Sequence, residues 1–274
     1  MSTAVRRITP RGNGLAAGAR EIWEYRELLY LLTWRDIRVR YTQTVLGAAW
    51  AILQPVALML LFTAFFGRVA KLDSNGLPYY MFAYAALVPW QLFASSVASA
   101  TESIVVNERV ITKVYFPRVL LPLAAVLAAV LDFLIAFVLL VVMIALAGIT
   151  PSASLVLLPV FIVLALAASA GVGIWVAALN AEFRDVRYVT PFLLQALLFA
   201  TPVVFSSFSL PPSWQKVLAL NPMTAVVEGF RWTLLGGSAV APAAILLSAF
   251  VSALLVVTGL SYFARVDDRI ADVV

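Results

Sequence analysis

The sequence predicts an all-α polytopic membrane protein. It has six transmembrane helices, an N-terminal amphipathic interfacial helix, a short charged cytoplasmic helix and short re-entrant outer helices before the last span. Three observations predict this. The 274 residues are 63% hydrophobic and 12% charged, against roughly 25% charged in soluble domains. Apolar runs recur at about the 20-residue length that crosses a bilayer. Basic residues cluster at the ends of alternate runs, the mark of membrane orientation rather than of nucleic-acid binding.

Residues 1–19 are small, polar and basic, and read as a flexible N-terminus. Residues 20–41 have helical spacing: Ile22, Tyr25, Leu29 and Leu32 share one side, and Arg20, Glu24, Glu27, Arg35 and Arg38 fall largely on another. Its Trp and Tyr residues suit a headgroup location, so it lies on the inner leaflet or packs on a protein partner. The transmembrane domain covers 42–263, with spans at 45–67, 79–99, 118–147, 155–179, 188–207 and 241–263, and leaves 264–274 as a cytoplasmic tail. The third span is about 45 Å long at 1.5 Å per residue. It must tilt, kink or project, and Pro122 in its first turns can be absorbed there.

Between the second and third spans lies NERVITKVYFPRVLLP (107–122). A short helix over 101–114 would present Glu102, Glu108, Arg109 and Lys113. Phe116-Pro117 would then turn the chain upward, because the residue before proline disfavours the α region. This segment either docks in a cleft of a soluble protein or is a solvated loop whose positive charges only set topology. The second inner loop, NAEFRDVRYVTP (180–191), is a second contact or a salt-bridged turn of Glu182, Arg184, Asp185 and Arg187. Segment 208–240 carries Lys216, Glu228 and Arg231. A charge at mid-bilayer costs roughly 2.5–3.5 kcal/mol on insertion scales, so a full span is disfavoured. Pro211-Pro212 and Asn221-Pro222 divide it into two short helical pieces. These dip into the membrane under protein cover or form an outer loop.

With the N-terminus inside, fifteen Lys and Arg fall on inner segments and four on outer ones, so both termini are expected in the cytoplasm. The first 44 residues hold eight Arg and no early apolar run, so no cleavable signal peptide is expected. The absence of Cys and His excludes thiolate and imidazole metal sites, Cys nucleophiles and His bases. No metal site and no catalytic residue are assigned. No GxxxxGK[ST] motif binds ATP. A membrane-embedded transferase would cluster acids at one membrane face, whereas the inner-loop acids here are scattered among bases. Asp132 is the one acid in mid-span, a default functional candidate. Lacking an evident basic partner at its depth, it reads as a packing or helix-pairing residue rather than a proton relay. Aromatic residues near the outer ends, from Phe62 to Phe93, form an interfacial belt or flat faces on which sugars stack.

The stretch WRDIRVRYTQTVLGAAWAILQP (34–55) resembles the approach to the first span in ABC-2 type permeases that export polysaccharides. These include the O-antigen (Wzm-like) subunits and those for teichoic acid or capsule. The matching residues are Arg35, Asp36, Arg38, Arg40, Tyr41, Leu46, Gly47, Trp50 and Pro55. Lys113-Val-Tyr-Phe-Pro117, Phe183-Arg-Asp-Val186, Asn221-Pro-Met-Thr and Val227-Glu-Gly-Phe-Arg231 follow in family order, and the resemblance covers roughly residues 25–263.

The resemblance implies a homodimer paired with two copies of a separate ATPase subunit, which binds the ATP and Mg. This chain then carries no cofactor. Glu108, Arg109, Lys113, Tyr115, Phe116 and Pro117 would form the coupling helix on the ATPase, with Phe183, Arg184 and Asp185 as a second cytoplasmic contact. Asn221, Pro222, Glu228 and Arg231 would belong to outer gate helices. The first and fifth spans would line the channel. That nominates Gln54, Phe62, Phe66, Gln195, Phe199, Thr201 and Phe205, with Tyr80 and Tyr84 near the outer gate. The substrate would be a lipid-linked glycan on a polyprenyl diphosphate or similar carrier, moved across a bacterial inner membrane. Arg35, Arg38 and Arg40 would bind the diphosphate, since guanidinium groups grip phosphate bidentately, or else merely anchor the interfacial helix. Export of teichoic acid or capsule, or of drugs or lipids, is the alternative within transport.

Overall fold

The computed structural model describes residues 21–42, 47–72, 74, 76–150 and 153–273. The stretch 1–19 and Leu46 of the family pattern lie outside the described residues. Every regular element among those described is a helix. α1 is Arg26–Thr42, after a helical turn at 21–24. α2 is Trp50–Phe62 and continues as a π-helical stretch, Thr63–Val69. α3 is Tyr79–Val106, α4 Glu108–Ile111 and α5 Leu120–Leu146. α6 is Leu158–Glu182, led in by a 3-10 segment at Ala153–Leu157, and α7 is Val186–Ala200. α8 is Pro212–Leu218, α9 Pro222–Leu235 and α10 Pro242–Val273. Five stretches are long and apolar enough to cross a membrane: Trp50–Val69, Tyr79–Val106, Leu120–Leu146, Ala153–Glu182 and Pro242–Asp267.

α3 is the central helix. It is buried on all sides in its N-terminal half, the signature of a fully surrounded helix, and packs against α2, α5, α6, α7 and α9. Small residues set a close backbone approach of α6 to α10. A Cβ on Gly171 would stand 2.8 Å from the Leu255 Cβ and 2.9 Å from the Val256 nitrogen. This is the small-residue packing that lets helix backbones touch where lipid offers no hydrophobic drive.

A cluster at one end of the bundle gathers Leu32 of α1, Ile104, Ile111, Phe116 and Leu120 around the charged loop, and Phe263 and Val266 of α10. The Arg118 Nη1 donates to the Asp267 carbonyl at 2.5 Å and reaches its carboxylate at 3.3 Å. α1 and α10 thus both pack beside the basic loop.

The helix boundaries differ from expectation in physically instructive ways. No separate helix covers 101–114. Residues 101–106 extend α3, because nothing breaks the helix until Asn107, and only Glu108–Ile111 forms its own turn. The expected span 188–207 is a helix of only 15 residues, about 22 Å long and shorter than the roughly 30 Å hydrocarbon core. Thr201 turns extended before Pro202, which has no N–H to continue the ladder. The chain still runs the length of α3 here. Near the start of α7, the Arg187 N–H donates to Asn180 Oδ1, and Asn180 Nδ2 donates to the Thr101 carbonyl. Beyond its end, the Tyr79 hydroxyl donates to the Val204 carbonyl at 2.6 Å. α10 continues as one helix through the residues expected as a separate tail. Pro122 does fall in the first turn of α5, where a missing N–H leaves no bond unmade.

In α1 and the turn before it, the stripe Ile22, Tyr25, Leu29 and Leu32 packs on the protein rather than on lipid. Trp23, Tyr30, Leu31, Trp34 and Val39 are the exposed apolar set. The helix is thus apolar on two sides, one for the bundle and one free to meet headgroups. Gly47, between α1 and α2, has φ +47°, the left-handed conformation that glycine adopts without steric cost.

Candidate functional site

The charged loop has a buried base and an exposed tip. Ile111, Phe116 and Pro117 are buried, and the Asn107 side chain is tied to the Ser103 carbonyl. Glu108, Arg109, Lys113 and Tyr115 are exposed, Tyr115 by 63%, with Val106 and Val114 beside them. Phe116 and Pro117 therefore anchor the loop in the core of the single chain. Apolar side chains next to an oily bundle gain more from burial than from reaching outward. Phe183, Arg184 and Asp185, in the turn between α6 and α7, are all exposed. In that turn the Tyr262 hydroxyl donates to Glu182, and the Arg187 guanidinium lies 4.6 Å over the Tyr188 ring.

Asp132 has the basic partner that sequence spacing did not reveal. Arg40 Nη1 donates to Asp132 Oδ2, the Tyr41 hydroxyl donates to Asp132 Oδ1, and Arg40 Nη2 donates to Ser99 Oγ. Burial, then the bond to the Asp132 carboxylate, push the Tyr41 phenol above its ordinary pKa, so it remains a donor. The three arginines assigned to a diphosphate consequently separate. Arg40 is held by Asp132, and Arg35 bonds its neighbour Asp36 at 2.8 Å. Arg38 is exposed with no side-chain partner among the described residues. A carboxylate inside a membrane must be paired, and it takes the nearest guanidinium. A cavity of about 290 Å³ opens beside this pair, lined by Arg40, Tyr41, Trp50, Gln54, Gln91, Ser95 and Asp132 among others. A second, of about 450 Å³, lies between α1 and α3 against Arg35, Asp36, Arg40, Ser99 and Glu102. Arg40 stands in both walls. Of these polar groups, the sequence reading missed the roles of Tyr41, Ser99, Gln91 and Ser95. The Arg40–Tyr41 step directly before the first span was the available signal.

The residues expected in the outer gate helices form an interior staple. Glu228 and Arg231 are 4% and 3% exposed and pair at 3.6 Å. Arg231 donates to the carbonyls of Phe82, Pro202, Val203 and Phe205 at 2.6–3.2 Å, and its guanidinium lies 3.5 Å from the Phe82 ring centroid. Glu228 accepts from the Ser207 N–H and hydroxyl. Asn221 caps α9 through Met223 N–H and donates to Thr201 Oγ1; Pro222 is buried. The irregular stretch after α7 leaves carbonyls with no helical partners, and the five donors of one guanidinium collect them.

Of the expected channel residues, Gln54, Tyr80, Gln195 and Phe199 are exposed, and Phe66 and Phe205 are half-buried. Phe62, Tyr84 and Thr201 are buried in the chain's own core. Phe62 packs edge-on against Phe66, Tyr84 donates to the Ala136 carbonyl, and Thr201 is engaged by Asn221. In the single chain the hydroxyls or rings of these three are thus already engaged.

Comparison with known proteins places this geometry. The model of the ABC-2 type transporter family matches residues 27–235. The chain is 29% identical over 248 residues to the O-antigen export system permease protein RfbA of Klebsiella pneumoniae, covering 90% of this chain and 95% of that protein. It is 31% identical over 214 residues to the RfbA of Myxococcus xanthus, covering 77% and 82% respectively. Against the polysialic acid transport protein KpsM of Escherichia coli, identity is 27% over 215 residues, covering 77% and 81%. With the family model spanning α1 to α9, this chain belongs to the ABC-2 type transporter family.

Proposed function

We propose that this chain is the membrane-spanning permease subunit of an ABC exporter that moves a lipid-linked polysaccharide such as O-antigen across the inner membrane. It works as a homodimer with two copies of a separate ATPase subunit, which bind and hydrolyse ATP with Mg. The observation that carries this is the similarity to O-antigen export permeases across nine-tenths of the chain. The exposed charged tip on a buried base at 107–118 supports a contact for the ATPase there. Apolar faces of α2 (Trp50, Leu53, Leu60, Phe65) and α7 (Phe192, Leu193, Phe199) remain exposed in the single chain. These support a dimer that encloses the channel between its first and fifth crossings. The similarity to a polysialic acid transporter supports a capsule glycan as the second reading.

Deleting the gene tests the function. The expected result is loss of one surface polysaccharide and accumulation of its lipid-linked form on the inner face, reversed by re-expression. The polymer lost decides between the two readings, and an unchanged cell surface overturns both.

The charge distribution, and the run of α7 and residues 201–206 along α3, support six crossings with both ends cytoplasmic. Because the chain has no native Cys, single-cysteine labelling is clean. An impermeant reagent is expected to label Ser213→Cys, on exposed α8, in intact cells, and Ser2→Cys only after lysis. Labelling of Ser2→Cys in intact cells would refute this topology.

A further inference from the structure

We infer that the cavity of about 290 Å³ beside Arg40 and Asp132 is a seat for one neutral sugar ring, the one joined to the lipid carrier's phosphate. The inference rests on the transport reading above and names which part of the substrate this site takes.

The first observation is unmet hydrogen-bonding capacity. Gln54, Gln91 and Trp50 line the cavity, and none of their side chains makes a hydrogen bond among the described residues. The Ser95 hydroxyl reaches only the Leu92 carbonyl of its own helix, at 3.4 Å. Gln91 lies twelve residues into α3, about 18 Å from its outer end. Asp132 lies twelve residues into α5, about 18 Å from its basic end. The cavity therefore reaches from Arg40 and Tyr41, at the foot of the first span, toward mid-depth at Gln91 and Asp132, where a half-buried amide left bare is costly. An amide supplies two donors and an acceptor with two lone pairs, so the wall asks for an occupant rich in both.

The second observation is charge. Among the described residues, the only cation and anion lining the cavity are Arg40 and Asp132, and they are paired with each other. The wall is polar yet electrically balanced. A diphosphate would have to break that pair, whereas a neutral hydroxylated ring would not. Exposed Arg38 remains for the phosphate. The third observation is the exposed indole of Trp50, a flat apolar face against which the C–H side of a pyranose packs while its hydroxyls meet Gln54, Gln91 and Ser95. A cavity at the small end of the roughly 300–1,000 Å³ range of ligand pockets suits one ring, not a polymer segment.

The test compares two probes on the full-length chain with its ATPase partner in lipid nanodiscs: a short-chain polyprenyl diphosphate, and the same lipid bearing one N-acetylglucosamine. The sugar-bearing lipid is expected to bind roughly tenfold more tightly, the order supplied by two retained hydrogen bonds. Gln91→Leu is expected to bring that ratio near one. Trp50→Leu, at an exposed position where folding is not at stake, is expected to lower it several-fold. Equal binding of the two lipids by the unaltered protein, or an undiminished ratio in both variants, overturns the inference. If deletion and re-expression still support export, the transport reading survives that failure. If neither lipid binds, the lipid-linked glycan reading fails, and this inference with it.

Discussion

Arg231→Met will leave little folded protein in the membrane. The substitution strips one guanidinium from four carbonyls and from the Glu228 carboxylate. Breaking a buried ion pair by removing one partner costs about 3–5 kcal/mol, since the other charge stays buried alone. The freed carbonyls of 202–205 add to that, because each unmade buried bond carries its own desolvation cost. Total stabilities are about 5–15 kcal/mol, so the loss is a large fraction of the whole. The double variant Glu228→Gln with Arg231→Met removes the orphaned charge but not the orphaned carbonyls, and should recover part of the loss. Thermal midpoints by fluorescence-detected size exclusion in detergent measure both. An unchanged midpoint for Arg231→Met would return this pair to a surface or gating role.

Arg109→Glu combined with Lys113→Glu is expected to abolish export while leaving the permease at its normal level. Both side chains are exposed, and neither has a salt-bridge partner among the described residues. Their reversal thus costs the fold little, and Arg118, bound to Asp267, still marks the inner side. At an interface the outcome differs. Like charges brought face to face cost several kcal/mol, about a hundredfold or more in association. The ATPase should fail to co-purify, and substrate-stimulated ATP hydrolysis should fall to the level of the isolated ATPase. Normal export by this variant would make the tip a solvated loop. Phe116→Ala probes the anchor instead and should lower the thermal midpoint, because Phe116 belongs to the core cluster with Leu32 and Phe263.

Sequence alone determined the fold class, the approximate place of each long helix and the existence of two short helices before the last. Hydrophobic length and breaker residues are local properties of a chain in a bilayer, so they can be read without knowing neighbours. Asn221 and Pro222 start α9 wherever that helix packs, and the fifteen-to-four distribution of basic residues needs no coordinates. The partners of individual polar groups were not legible. Asp132 looked unpaired because its cation is 92 positions away, at the end of a helix outside the span. Glu228 and Arg231 looked like outer charges because the carbonyls that Arg231 serves, and the Ser207 N–H that Glu228 accepts from, become free only once α7 stops at Ala200. Phe116 looked like a contact and Tyr84 like a lining residue because apolar and aromatic side chains fit a core and a binding face equally well. Only the tertiary structure decided these, because in a low-dielectric interior a polar group is assigned by which neighbour can satisfy it at hydrogen-bond distance, and that neighbour is fixed by packing rather than by spacing along the chain.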